Sequence, residues 1–166
     1  MGRYGTGGLP DASVRADGTL DLIRSYQGLT TLEFHRPKAD IYFNAGAEYA
    51  SRAAGFDAVS GKYVGYGSPF FSNTGCFTET GPGAGGFLPG SLGSSCTADT
   101  RVVIEGTAGV WFKLYDGSKE KLNWGRIQFG PQYSYVTRNT WSGSSYPNEP
   151  HGIDNMIYTS FRYYLP

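Results

Sequence analysis

The sequence contains no run of about 18 consecutive apolar residues, the length that a membrane-spanning helix needs. This excludes a spanning helix, whereas a spanning strand alternates and never produces such a run. Charge of one sign is not in excess either, because 14 basic residues balance 14 acidic ones. The chain therefore lacks the basic surface of a nucleic-acid-binding protein, and we expect no nucleic-acid partner.

Residues that bind metals or act as nucleophiles are few. Two cysteines and two distant histidines do not form a metal site, so the sequence predicts neither a metal nor another cofactor. Cys76 and Cys96 flank a Gly-, Pro- and Ser-rich segment, which favours a disulfide made in an oxidising compartment over two free thiols. His151, Asp154 and nearby serines crowd one glycine-rich loop without a nucleophile elbow. We therefore predict no catalytic residues and no enzyme activity.

Glycine and aromatic residues are abundant, with 25 Gly, 13 Tyr and 10 Phe among 166 residues. Helix-forming residues are scarce, and this composition favours long strands joined by glycine-rich loops. The sequence therefore predicts an all-β fold.

Five stretches alternate between apolar and polar side chains, as strands with one apolar face do. They cover residues 26–35, 40–52, 101–114, 124–138 and 155–165. Each reaches the roughly 9–11 residues that a tilted strand needs to cross a bilayer, whereas soluble strands average about five or six. We expect an antiparallel up-and-down meander of about five to six long strands, forming a partial or assembling transmembrane β-barrel.

The connections alternate between short and long. Residues 1–20 are predicted to be a polar tail or loop, and 21–166 a single β-barrel-type domain with long loops at 53–99 and 139–152. With the C-terminus on the periplasmic side, the turns near Pro37 and Gly117 are periplasmic and both long loops are extracellular. Outer-membrane barrels have this arrangement.

The alternation also predicts which side chains meet water and which meet lipid. Charges within the strands all fall opposite the apolar face, where they either select solutes in an aqueous lumen or pair across strands as structural groups. The predicted lumen-lining residues are Glu48, Arg52, Glu105, Lys113, Arg126, Arg138 and Arg162. The predicted lipid-facing residues are Ile41, Phe43, Ile104, Val110, Phe112, Ile127, Phe129, Phe161, Tyr163 and Leu165.

Several segments resemble a known but little-characterised family. They are RSYQGL at 24–29, GAEYA at 46–50, VGYGSP at 64–69, QFGPQYSY at 128–135 and IDNMIYTSFRYY at 153–164. Together they are similar to the C-terminal part of large porin-like outer-membrane proteins of soil bacteria such as the Acidobacteria. The resemblance implies a barrel in the bacterial outer membrane and no chemistry.

Five strands are too few to close a barrel, because the smallest single-chain outer-membrane barrels have eight. We expect either missing N-terminal strands or pairing with further copies, and the N-terminus, which lacks the pattern of a secretory signal, fits a removed signal or a piece of a longer chain. The predicted function is passive passage of small solutes through a charged lumen, with the lipid bilayer and the barrel-assembly machinery as partners.

Two alternatives stay open. The first is a secreted, extracellular structural or adhesive β-protein that assembles through its open sheet edges into a filament or oligomer. The second is a carbohydrate-binding module, which would need Tyr63, Tyr66, Phe70 and Phe71 to form one exposed platform.

Overall fold

The computed structural model describes residues 9–73, 76, 96–117, 125–143 and 151–165. Within these ranges the chain forms strands β1 (Ala12–Val14), β2 (Leu20–Leu22), β3 (Ser25–His35), β4 (Ala39–Ala50), β5 (Ala53–Asp57), β6 (Lys62–Tyr66), β7 (Thr100–Asp116), β8 (Arg126–Thr140) and β9 (His151–Tyr164). No helix in the described part of the chain is long and apolar enough to cross a membrane. The fold is all-β, as the composition predicts.

The five long strands form one sheet in the order β3-β4-β7-β8-β9. This is the order of a meander, with β5 and β6 leaving the sheet between β4 and β7. The predicted and observed ends differ by at most four residues, the largest difference being at the start of β9. In the described ranges the sheet does not close on itself, so β3 and β9 each pair with one neighbour.

Two short hairpins lie in stretches that the alternation assigned to a tail and a loop. β1 pairs with β2 and β5 pairs with β6, both antiparallel. The β5–β6 turn is made locally by Asp57, whose carboxylate accepts hydrogen bonds from the backbone N–H groups of Val59 at 3.0 Å and Ser60 at 3.1 Å. Strands of three and five residues are too short for alternation to distinguish them from loops.

The chain divides into two compact units. Unit 1 comprises Met1–Gly28, Ala47–Ile104 and Thr137–Ile153, and unit 2 comprises Leu29–Gly46, Glu105–Val136 and Asp154–Pro166.

Unit 1 has a small conventional core. Ile23, Ala50 and Tyr66 are buried there, and the partly buried Trp141 packs against them. Asn73 is fully buried beside this core, and its amide donates hydrogen bonds to the Trp141 carbonyl and the Thr140 hydroxyl. Because a buried amide without partners is costly, these bonds anchor the chain before the cysteine loop.

The predicted disulfide is confirmed: Cys76 and Cys96 are bonded, with their Cα atoms 5.0 Å apart. Around it, the backbone N–H of Ser72 donates to the Thr97 hydroxyl and that of Thr97 donates to the Ser72 carbonyl. The disulfide thus joins two segments that are already held together by hydrogen bonds.

Unit 2 has polar groups inside and apolar groups outside. Its buried side chains are Thr107, Gln128 and Ser134, with 7%, 6% and 1% of their surface exposed. Phe161 is 75% exposed and Leu165 is 80% exposed. A water-soluble sheet shows the opposite distribution, because burying apolar surface is what drives its folding.

Replacing Cys76 and Cys96 by serine is expected to lower the free energy of unfolding by about 3 kcal/mol, because the closed loop of 20 residues loses less conformational entropy on folding than an open one. Urea unfolding of the double variant and of the wild type measures the difference. Equal midpoints would show that the disulfide adds no stability. Adding dithiothreitol to the wild type should reproduce the effect and leave the variant unchanged.

Candidate functional site

A polar groove in unit 2 is the best candidate for a functional site. Its volume is about 530 Å³, and all five long strands contribute side chains to it. The lining residues are Glu33, His35, Asp40, Ile41, Tyr42, Asn44, Trp111, Arg126, Gln128, Gln132, Arg162 and Tyr164. With Ile41 as the exception, they are polar or aromatic, so the groove suits a hydrated or charged solute.

Two aromatic side chains form the floor of the groove by lying across the neighbouring strand. Tyr42 of β4 covers Gly109 of β7, so closely that a Cβ at position 109 would overlap the phenol ring. Trp111 of β7 covers Gly130 of β8, where a Cβ would lie 2.6 Å from Cε3 of the indole. Glycine is required at both positions because any side chain would displace the ring above it.

A chain of hydrogen bonds continues from Tyr42 along the same side of the sheet. The Tyr42 hydroxyl donates to Oε1 of Gln132 at 2.7 Å, and Nε2 of Gln132 donates to the Ser134 hydroxyl at 3.1 Å. The Thr107 hydroxyl donates to Glu105, so Ser134 must be the donor in its 3.1 Å contact with Thr107. Every member of this buried chain has a partner, as a stable polar interior requires.

Each acidic group of the groove lies close to a basic side chain. Glu33 lies 3.3 Å from Nε2 of His35, and Asp40 lies 3.0 Å from Nδ1 of the same ring. Asp40 also accepts a hydrogen bond from Lys113 at 2.8 Å. The described residues hold no group of three His, Cys, Asp or Glu side chains placed to bind a metal ion.

The arginines of the groove contact aromatic rings instead. The guanidinium carbon of Arg162 lies 3.8 Å from the centre of the Trp111 ring, and that of Arg126 lies 4.5 Å from the centre of the Tyr164 ring. Such cation–π contacts contribute about 0.5–2 kcal/mol each. They hold the two guanidinium groups in place without using an anionic partner.

Unit 1 contains its own cluster of cations around Trp141. Arg52 and Arg101 lie 4.9 Å and 5.8 Å from the centre of the Trp141 ring. Arg138 donates to the Thr100 hydroxyl at 2.6 Å and to the Ala98 carbonyl at 3.3 Å. These contacts hold the chain that leads from the disulfide into β7.

Asp99 lies beside this cluster and accepts a hydrogen bond from the Gly67 N–H at 2.6 Å. Burial raises the pKa of Asp99 above its ordinary value of 3.8, although the Gly67 N–H and the charge of Arg138 act in the opposite direction. Tyr66 next to it donates to the Thr100 carbonyl, and burial raises its pKa to about 12. Tyr66 therefore remains a neutral hydrogen-bond donor.

The seven predicted lumen residues do not form one set. Arg126 and Arg162 line the groove. In unit 2, Lys113 pairs with Asp40, and Glu105 accepts from Thr107. Glu48, Arg52 and Arg138 belong to unit 1. These positions do not test whether the residues line a lumen, so the lumen-lining assignment stays a prediction.

Eight of the ten residues predicted to face lipid are exposed. They are Ile41, Phe43, Ile104, Phe112, Ile127, Phe161, Tyr163 and Leu165. Val110 and Phe129 are partly buried, and the Phe129 ring lies 4.9 Å from that of Phe161.

Sequence reasoning did not select the uncharged polar residues of the groove, namely Tyr42, Asn44, Gln128 and Gln132. Their position on the polar side of each strand is a signal in the sequence, although it does not distinguish them from other polar residues on the same side. The four aromatic residues that the carbohydrate-binding alternative requires do not form one exposed platform. Tyr66 is buried, whereas Tyr63 contacts Phe56 and Phe70, at ring distances of 5.4 Å and 6.4 Å.

Comparison of the chain with protein-family models, with curated proteins and with solved structures finds no match.

Replacing Gly109 by alanine is expected to lower the free energy of unfolding by about 1–3 kcal/mol, because the added methyl displaces Tyr42 and breaks its bond to Gln132. The matched control is Gly106→Ala on the same strand, where an added Cβ has open space. Chemical unfolding of both variants in detergent measures the costs. Equal costs would contradict the proposed role of Gly109.

Replacing Asp99 by asparagine should remove one pH-dependent contribution to stability while keeping an oxygen acceptor for Gly67. Because the pKa of Asp99 is raised in the folded state, its contribution is full below about pH 3.8 and declines as the pH rises through the folded-state pKa. The free energy of unfolding of the wild type minus that of Asp99→Asn is therefore expected to fall as the pH rises above about 3.8. A difference that rises with pH would show that folding lowers the pKa of Asp99 instead of raising it.

Proposed function

We propose that this chain is part of a porin-like β-barrel of a bacterial outer membrane, through which small solutes pass passively. The observation that carries the proposal is the inverted burial in unit 2, with Thr107, Gln128 and Ser134 inside and Phe161 and Leu165 outside. Leaving a large apolar side chain in water costs roughly 1.5–3 kcal/mol relative to burying it. Lipid around the apolar side chains removes this cost, while water in the groove hydrates the polar ones.

Strand length supports a bilayer as the surrounding medium. The long strands have 11 to 17 residues. At about 3.3 Å per residue and a tilt of about 40°, even 11 residues rise roughly 28 Å, close to the thickness of the hydrocarbon layer. Strands of globular proteins usually have only about 3–10 residues.

The open edges of the sheet indicate what the proposed barrel still needs. In the described ranges β3 and β9 have one neighbour each, and unpaired backbone groups are not tolerated in lipid. Further strands must cover both edges, supplied either by a longer chain or by other copies of this one. The barrel-assembly machinery is the partner that would insert such a sheet.

Reconstitution into planar bilayers tests the proposal, and we expect stepwise ion conductance. Replacing Phe161 by arginine should weaken folding into vesicles by about 2–4 kcal/mol, because a charge on the lipid side must enter the hydrocarbon layer. Urea titration of folding into vesicles measures the loss.

The matched control is Val59→Arg, at the 98% exposed tip of the β5–β6 hairpin and outside the long strands. This variant should insert like the wild type. A well-folded monomer in buffer without detergent, or equal insertion of both arginine variants with no conductance, would exclude a membrane barrel.

Self-assembly outside the membrane is the second candidate, and β3 is the observation that favours it. All eleven residues of β3 are exposed, and among the described strands β3 pairs only with β4. Detergent-free oligomers or filaments that form without lipid and carry no conductance would support this function instead.

A further inference from the structure

Two arginines of the groove have no anionic partner among the described residues. Arg126 and Arg162 contact Tyr164 and Trp111, and neither makes a hydrogen bond or ion pair with another described residue. A guanidinium group has five N–H donors in one plane. Contact with a ring leaves donors at the edge available, so both arginines can still bind a ligand.

One of the two negative charges of the same groove is paired with a cation, because Asp40 is bonded to Lys113. Glu33 is the other carboxylate of the groove. The two arginines, whose guanidinium groups contact aromatic rings, outnumber it. The groove therefore attracts anions more strongly than its total charge suggests.

Gln128 supplies a neutral group beside the arginines. It lines the groove, it is 6% exposed, and its amide makes no hydrogen bond to another described residue. No atom of the Gln128 amide is both fully buried and without a partner, so the amide opens to the groove, where water or a solute can bind it. An uncommitted amide and two uncommitted guanidinium groups match an oxyanion with several acceptor atoms.

We propose that this groove binds small oxyanions, carboxylates or phosphates, through Arg126, Arg162 and Gln128, and that it makes the passage prefer anions. The preference in transport rests on the proposed porin-like function, whereas binding to the groove does not. Trp111 acts as a positioning residue, because it crosses Gly130 to reach the guanidinium of Arg162.

Calorimetric titration of the detergent-folded protein with inorganic phosphate, with succinate and with uncharged sucrose tests the binding. We expect phosphate, succinate or both to bind and sucrose not to bind. Arg162→Gln and Arg126→Gln should each weaken binding about tenfold or more, the usual loss of a charge-assisted hydrogen bond. Arg162→Lys keeps the charge without the planar fork and should lie between the wild type and Arg162→Gln.

The matched control is Arg15→Gln, which removes the same charge in unit 1, outside the groove. It should bind oxyanions like the wild type. Equal binding by Arg162→Gln and Arg15→Gln, or no binding of either anion, would overturn the proposal. If Arg162→Gln does not fold, Arg162→Lys and Arg126→Gln carry the comparison.

Reversal potentials across a salt gradient distinguish the two proposals. Conductance without anion preference, together with no binding, refutes the oxyanion site and leaves the porin-like function intact. Binding that depends on Arg126 and Arg162 without conductance refutes the porin-like function and leaves the site intact.

Discussion

Tyr42 and Trp111 each lie across the strand beside them, and glycines at positions 109 and 130 make this possible. The groove depends on these two contacts. Tyr42 on β4 reaches across β7 to Gln132 on β8, and Trp111 on β7 reaches across β8 to Arg162 on β9. A methyl group at Gly109 would displace Tyr42 from its bond to Gln132, and one at Gly130 would displace Trp111 from its contact with Arg162.

The same arrangement accounts for the polar side chains buried in unit 2. Rings lying over glycines supply close contact, and the chain from Tyr42 to Glu105 gives the buried hydroxyls of Thr107 and Ser134 their partners. Buried polar side chains are costly only when they lack partners. The apolar side chains are then left for the outer surface, where a lipid environment would accommodate them.

Much of the fold could be predicted from alternation alone, because the side-chain period of a strand is two and each long strand here has one polar side. The disulfide was predictable from the two cysteines that flank a flexible segment. The short hairpins were not, since β1, β2, β5 and β6 have too few residues for a period to be visible and depend on turns such as the one at Asp57. The polar groove residues were recognisable by their side of the strand, but not their grouping.

By itself, the sequence determined the all-β class, the long strands and the side of each strand that carries charge, because these follow from local alternation. Only the tertiary structure decided which charges meet. Lys113 is paired with Asp40, whereas Arg126 and Arg162 are not paired with any described residue. Seven charges on the polar sides of their strands therefore have different partners, because pairing depends on the register between strands distant in the chain. Alternation within one strand restricts that register only to shifts by an even number of residues.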